Sequence, residues 1–88
     1  MANKVSAEKR ARQALKRRAR NRSYRSQLRS EIKKLRQAVD GGDAATAQAL
    51  LTPTLGTIDR IAQHGVIHGN AAARTKSRLS RAVAALEG

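Results

Sequence analysis

Residues 9–36, KRARQALKRRARNRSYRSQLRSEIKKLR, decide the fold. Thirteen of these positions are Lys or Arg, and a single one, Glu31, is acidic. The stretch has no Pro, no Gly and no β-branched residue except Ile32. Arg, Lys, Ala, Leu and Gln lose little side-chain entropy in a helix, so the stretch is expected to form one long cationic α-helix. Such a helix repels itself, and it is favoured when a polyanion lies against it.

The charges fall into a pattern. Arg18, Arg22, Arg25, Arg29, Lys33 and Arg36 recur at intervals of four and three. At 100° per residue they share an arc of roughly 80°. Leu28, Ile32, Leu35 and Val39 form an apolar stripe centred roughly 90° away. The C-terminal half of the helix therefore has one face for a core and a neighbouring face for an anion. In the N-terminal half, Lys9, Arg10, Arg12, Lys16, Arg17, Arg18, Arg20 and Arg22 point in every direction, and Leu15 is the one large apolar residue. That half has nothing to pack on. It either projects into solvent or is surrounded by its ligand. A merely solvated face would mix both signs of charge.

The 88 residues suffice for one small domain. Net charge is +13 and the pI is near 11.8, with the imbalance almost all in the first 36 residues, which hold 14 basic and 2 acidic side chains. A basic arm on a near-neutral packing unit is a design of nucleic-acid binders. The core is thin. Seventeen residues are Ala, Leu, Ile and Val together number 16, and Phe and Trp are absent. That is below a fifth of the chain in large aliphatics at high net charge, which implies a marginal free protein whose basic arm orders on binding. Without Cys, no disulfide or thiolate metal site forms. No apolar run approaches the roughly 20 residues that span a membrane. Residues 1–5 contain no apolar h-region, so a secretory signal is not expected and the cytoplasm is the default compartment.

Taken in order, residues 1–5 read as a short disordered start, Ser6 as an N-cap, and Glu8 as a first-turn acid. The first helix is expected to run to about Val39. Asp40-Gly41-Gly42-Asp43 is the clearest break, with Gly41 as the left-handed residue and Asp43 as the next cap. A second helix covers Ala44 to about Gln63. Ala47, Leu51, Leu55, Ile58 and Ala62 form its stripe, flanked by Leu50 and Ile61, and Pro53 kinks it without ending it. Gly65 stops it. Val66 and Ile67 plug the end of the core. Asn70 caps a third helix that runs to about Leu86, with Ala72, the stem of Lys76, Leu79, Val83 and Leu86 inward. The fold class is all-α: a three-helix up-down-up bundle, its long basic first helix projecting beyond the core. The arm covers about residues 6–27 and the bundle about 28–87.

Two clusters carry the candidate chemistry. On the first helix, Arg side chains offer planar forks to phosphate, and Asn21, Ser23 and Ser26 add short polar groups that reach phosphate or ribose oxygens. Lys33, Lys34 and Arg36 extend the basic surface. Around the start of the third helix, His68, Asn70, Arg74, Lys76, Ser77 and Arg78 form a second phosphate-binding candidate, helped by free N–H groups at a helix N-terminus. His64 reads as a helix-terminal residue. Catalysis finds little support. No His/Cys/carboxylate cluster has metal-ligand spacing, no Gly-rich phosphate loop follows a strand, and Tyr24 alone is no stacking platform. No cofactor, metal, small-molecule substrate, membrane or homo-oligomeric partner is expected.

Charge alone does not separate RNA from DNA. A leucine zipper fails, because the heptad position after Leu28 and Leu35 is Gly42. A nucleoid-type DNA binder remains open. A cationic membrane-surface helix is weaker, since the N-terminal half lacks an apolar face.

The chain resembles the bacterial small-subunit ribosomal protein S-twenty family over nearly all its length. The resemblance rests on Ala2-Asn3 with Ser6-Ala7, Lys16-Arg17-Arg18, Arg20-Asn21-Arg22, Arg25-Ser26, Ile32-Lys33-Lys34 and Ile58-Asp59. Above all it rests on Gly65-Val66-Ile67-His68, Asn70, Ala72-Ala73-Arg74 and Lys76-Ser77-Arg78-Leu79. It implies a structural, non-enzymatic protein that binds 16S ribosomal RNA early in assembly of the small subunit. It also implies a first helix lying among RNA helices of the 5′ domain and reaching the long penultimate helix near the 3′ end. The cluster from His68 to Arg78 becomes an expected RNA contact.

The thin core and the charge make one prediction at once. At low salt the free protein melts broadly and at modest temperature, and a polyanion raises both helicity and melting point; circular dichroism checks this. A sharp, high transition with full helicity in the free protein contradicts it.

Overall fold

The computed structural model describes residues 2–87. Three helices follow one another: α1 (Ala2–Asp40), α2 (Ala44–Gln63) and α3 (Gly69–Glu87). The described residues hold no strand. The all-α, three-helix expectation is met, and the long first helix extends beyond the core. The molecule measures 66 × 20 × 15 Å, with a radius of gyration of 17.7 Å. A compact chain of this length would have about 12 Å. The excess is the arm. Every residue from Lys4 to Arg20 is exposed, including Val5 and Leu15, and the first half-buried side chain is Asn21.

α1 begins earlier than the sequence suggested. Ser6 lies inside the helix instead of capping it, and Glu8 is beyond the first turn. Ala2 to Val5 contain no Gly or Pro to stop a helix from continuing backwards, and α1 takes them in. The expected disordered start thus does not hold from Ala2 onward; Met1 lies outside the described residues.

Both turns between helices are built by backbone hydrogen bonds around a left-handed glycine. At the first, the Asp43 N–H donates to the Ala38 carbonyl at 2.9 Å and the Gly42 N–H to the Val39 carbonyl at 3.0 Å. This six-to-one, five-to-two pair places Gly42, with φ of 69°, at the left-handed position, one residue later than expected for Gly41. Gly41 is still helix-side, its N–H bonded to Gln37. At the second turn, Val66 donates to Ile61 at 3.3 Å and Gly65 to Ala62 at 3.0 Å, with Gly65 at φ of 74° as expected. Val66 is buried beside this turn and Ile67 packs on the core, so both close its end.

Asp43 caps α2. Its Oδ2 accepts from the Thr46 hydroxyl at 2.6 Å and its Oδ1 from the Thr46 N–H at 3.1 Å. These bonds, the hydroxyl first, hold the Asp43 carboxyl below its ordinary value. α2 continues through Pro53 and Gly56 as one helix.

α2 is the central element, packed along both α1 and α3, while α1 and α3 meet only sparsely. Leu35, Ala47, Ile58 and Ile61 are fully enclosed, and Ala38, Ala72, Leu79 and Val83 complete the core. The buried face of α2 differs from the expected stripe. Thr54 and Thr57 are buried, Ile61 is central, and Leu51, Leu55 and Ala62 are only half-buried. The face is turned about 60° from the predicted one at 100° per residue. The Thr57 hydroxyl donates to the Pro53 carbonyl at 3.1 Å, which satisfies it within its own helix and leaves its methyl group for the core.

Leu28, expected in the core, is half-buried and packs at its edge. Leu35→Ala and Leu79→Ala are therefore expected to cost about 2–5 kcal/mol, and Leu28→Ala less, about 1 kcal/mol. Thermal unfolding of the three variants checks the order. Equal losses would mean that Leu28 is as deeply packed as the other two.

Candidate nucleic-acid interface

Long cationic side chains on the exposed sides of α1 form the walls of shallow clefts. Arg18, Arg22, Arg25 and Arg29 line one, together with Asn21. Lys9, Arg12, Gln13 and Lys16 line a second, and Gln13, Lys16, Arg17 and Arg20 a third that continues it. The second and third share one side of α1. The first lies roughly 150° round the helix and about 13 Å further along it. The charges of the N-terminal half, which in sequence point every way, are thus gathered into a basic surface opposite that of residues 18–29.

All the sequence-predicted site residues on α1 are exposed except Asn21, which is half-buried. Arg10 lies on the exposed arm outside these clefts. Ser23 and Ser26 lie exposed on flanking faces. Lys33 and Arg36 carry the first basic face onward, where they border a groove floored by Leu28 and Ile32. Lys34 is exposed beside them.

The arm is fixed to the bundle at its root. Tyr24 stacks on His64 at the C-terminal end of α2, with ring centroids 5.0 Å apart and planes at 18°. His64 is thereby the helix-terminal residue expected. The stack could not be read from the sequence, because 40 residues separate its members. Its signal was an isolated aromatic residue within a polycation.

The second cluster sits four residues beyond His64, at the start of α3. Here the expected cap is corrected. Asn70 lies within α3, and His68 is the cap: its Nδ1 accepts from the Asn70 N–H at 3.0 Å, and its carbonyl accepts from the Ala72 N–H at 3.0 Å. With Nδ1 accepting, Nε2 is the ring nitrogen of His68 that carries a proton. The Asn70 side chain is left free on the surface. Asn70, Arg74, Ser77 and Arg78 share the face of α3 roughly opposite its core side. Lys76 does not join them. It lies at the edge of the packed face and pairs with Asp59 of α2 at 2.7 Å. This half-exposed pair adds little stability, but it occupies the ammonium group. Among the described residues no cluster of His, Asp or Glu could hold a metal ion, and no helix is long and apolar enough to cross a membrane.

The comparisons with known proteins agree among themselves. A family model described as Ribosomal protein S20 matches residues 2–84. The small ribosomal subunit protein bS20 of an Azoarcus species is 56% identical over 86 residues, which cover 98% of each chain. That of Laribacter hongkongensis is 52% identical, covering 98% of this chain and 99% of its own. That of Pseudomonas paraeruginosa is 54% identical, with 98% and 94% covered.

The exchanged cap has a measurable consequence. His68→Ala is expected to destabilise the start of α3 by about 1 kcal/mol, whereas Asn70→Ala leaves stability unchanged. Melting curves of the two variants separate the cases, and a reversed order would restore Asn70 as the cap.

Proposed function

Because the chain belongs to the ribosomal protein S20 family, we propose that it is a structural component of the bacterial small ribosomal subunit that binds 16S ribosomal RNA directly and ties separate RNA segments together during assembly. Its place is the cytoplasmic ribosome, and the family is one of structural proteins rather than enzymes. The observation that carries the RNA reading is the pair of basic faces on opposite sides of α1, one on the unpacked arm and one on the exposed side of its anchored root. A single phosphate backbone passing along one side of α1 meets one face and leaves the other free. Two segments, one on each side, neutralise both.

The division of labour follows from the chemistry. Lys and Arg release counterions from the phosphates, which supplies affinity without sequence information. The fixed spacing of the two faces supplies selectivity for RNA folded so that two backbones lie a helix diameter apart. The outer face of α3, with Asn70, Arg74, Ser77, Arg78 and the Nε2 donor of His68, is a third contact near the root of the arm. Lys76 contributes after releasing Asp59. The chain is one domain in this reading, a basic arm over about residues 6–27 and a bundle over about 28–87, joined through Asn21 and Tyr24. Held between RNA segments, the arm needs no core of its own.

The test is salt dependence on a 16S ribosomal RNA transcript. Changing Arg18, Arg22, Arg25 and Arg29 to Gln lowers the slope of log affinity against log salt by about one for every phosphate left without its cation. Changing Lys9, Arg12, Lys16 and Arg20 to Gln lowers it separately. An unchanged slope in either variant removes that face from the interface. Equal affinity for the transcript and for duplex DNA, collapsing together as salt rises, would bring the nucleoid reading forward.

A further inference from the structure

We propose that α1 and α3 together clamp the shallow groove of one RNA duplex, the cations of α1 taking one phosphodiester strand and Arg74 and Arg78 of α3 taking the other. This deepens the RNA reading above and rests on it.

A contact with α2 fixes the flanks of each helix. On α1, Tyr24 stacks on His64, so α2 lies on the Tyr24 side. Going round α1 from Tyr24 at 100° per residue, Leu28 and Ile32 come about 40° and 80° on. The basic row of Arg25, Arg29, Lys33 and Arg36 follows, centred about 135° from Tyr24. On α3, Lys76 pairs with Asp59, so α2 lies on the Lys76 side. Going round α3 in the other sense, the buried Ala72, Leu79 and Val83 come first. Arg78 and Arg74 follow, about 160° and 200° from Lys76. In an up-down-up bundle α1 and α3 run the same way. Opposite senses of rotation on parallel helices bring both rows to one side of the bundle, the side turned from α2. There they stand next to each other across the α1–α3 seam.

The seam fits this placement. α1 and α3 meet sparsely, and Leu28 and Ile32 are left half-buried as the floor of a groove bordered by Arg29, Lys33 and Arg36. Arg74 and Arg78 are exposed. The stack sets His64 level with Tyr24, and a short turn starts α3 near that level. Five residues further along each helix, Arg74 comes about level with Arg29, and one turn later Arg78 with Lys33. Packed helix axes stand about 10 Å apart. Glu31 is half-buried on the packed side of α1, and Asp40 marks the far end of the groove.

Two parallel cationic rows with an apolar strip between them match two anionic rails with a less polar strip between. A single strand offers one rail. An A-form duplex offers two, on either side of a wide, shallow groove lined by riboses. The minor groove of B-form DNA, about 6 Å wide, draws its strands together.

The test uses two short RNA duplexes of one sequence. One has phosphate throughout, and the other has uncharged methylphosphonate linkages along one strand. Binding is followed across salt in the protein with Lys9, Arg12, Lys16 and Arg20 changed to Gln, so that the opposite face does not compete. Adding Arg74→Gln and Arg78→Gln is expected to lower the slope of log affinity against log salt by about two on the fully charged duplex. On the half-neutral duplex the same pair changes nothing, because the more numerous cations of α1 hold the charged strand. Arg25→Gln and Arg29→Gln lower the slope on both duplexes. All four side chains are exposed, and circular dichroism confirms that the variants fold. An α3 pair that lowers the slope equally on both duplexes, or on neither, overturns the proposal, as does an α1 pair without effect on the half-neutral duplex. If the wild type still prefers the 16S transcript to duplex DNA when one of these results is found, the ribosomal reading stands and the clamp alone is removed.

Discussion

Like charges along α1 set the terms for everything else in this molecule. A helix with thirteen cations in 28 residues raises its own free energy with each turn. It cannot fold back on a core all round, because burying an unpaired charge costs far more than a small domain has to give. The helix period resolves the conflict. Over residues 28–39 the apolar side chains face α2 while the cations stay in water a quarter-turn away. Before residue 21 no apolar stripe exists, and the helix simply leaves the bundle. The arm is thus a direct result of where aliphatic residues cease.

The bundle is correspondingly economical. α2 lies between two helices that scarcely touch each other. Its buried side carries two threonines alongside Ala and Ile, and among the described residues three large side chains are fully enclosed. Stability then depends heavily on how the helices are joined. The two glycine turns and the Asp43 cap satisfy backbone groups that would otherwise be orphaned at helix ends. In a protein with so little core, such end groups are a large share of what holds the helices together.

Much of this was legible in the sequence, and the remainder failed for identifiable reasons. Charge runs and four-three spacings located α1, its two stripes and the break after Asp40, because helix periodicity is a local property. The inner face of α2 was misplaced because threonine reads as polar until its hydroxyl is seen bonded to Pro53. Asn70 lost the cap to His68 because several polar residues compete at one helix start, and only the path of the chain decides which comes first. Gly42 displaced Gly41 for the same reason. At the candidate interface, the residues were nameable but their grouping was not. That Lys76 is turned toward Asp59 and that Tyr24 finds His64 depend on three-dimensional placement.

The order of packing has a consequence for speed. Each helix packs mainly on its neighbour in the chain, across connections of a few residues, so nearly all tertiary packing is between segments close in sequence. Such low contact order belongs to chains that fold in microseconds to milliseconds, with little loop entropy to overcome. In the RNA-binding role proposed above, a bundle that re-forms this fast would leave the folding of the RNA as the slower step.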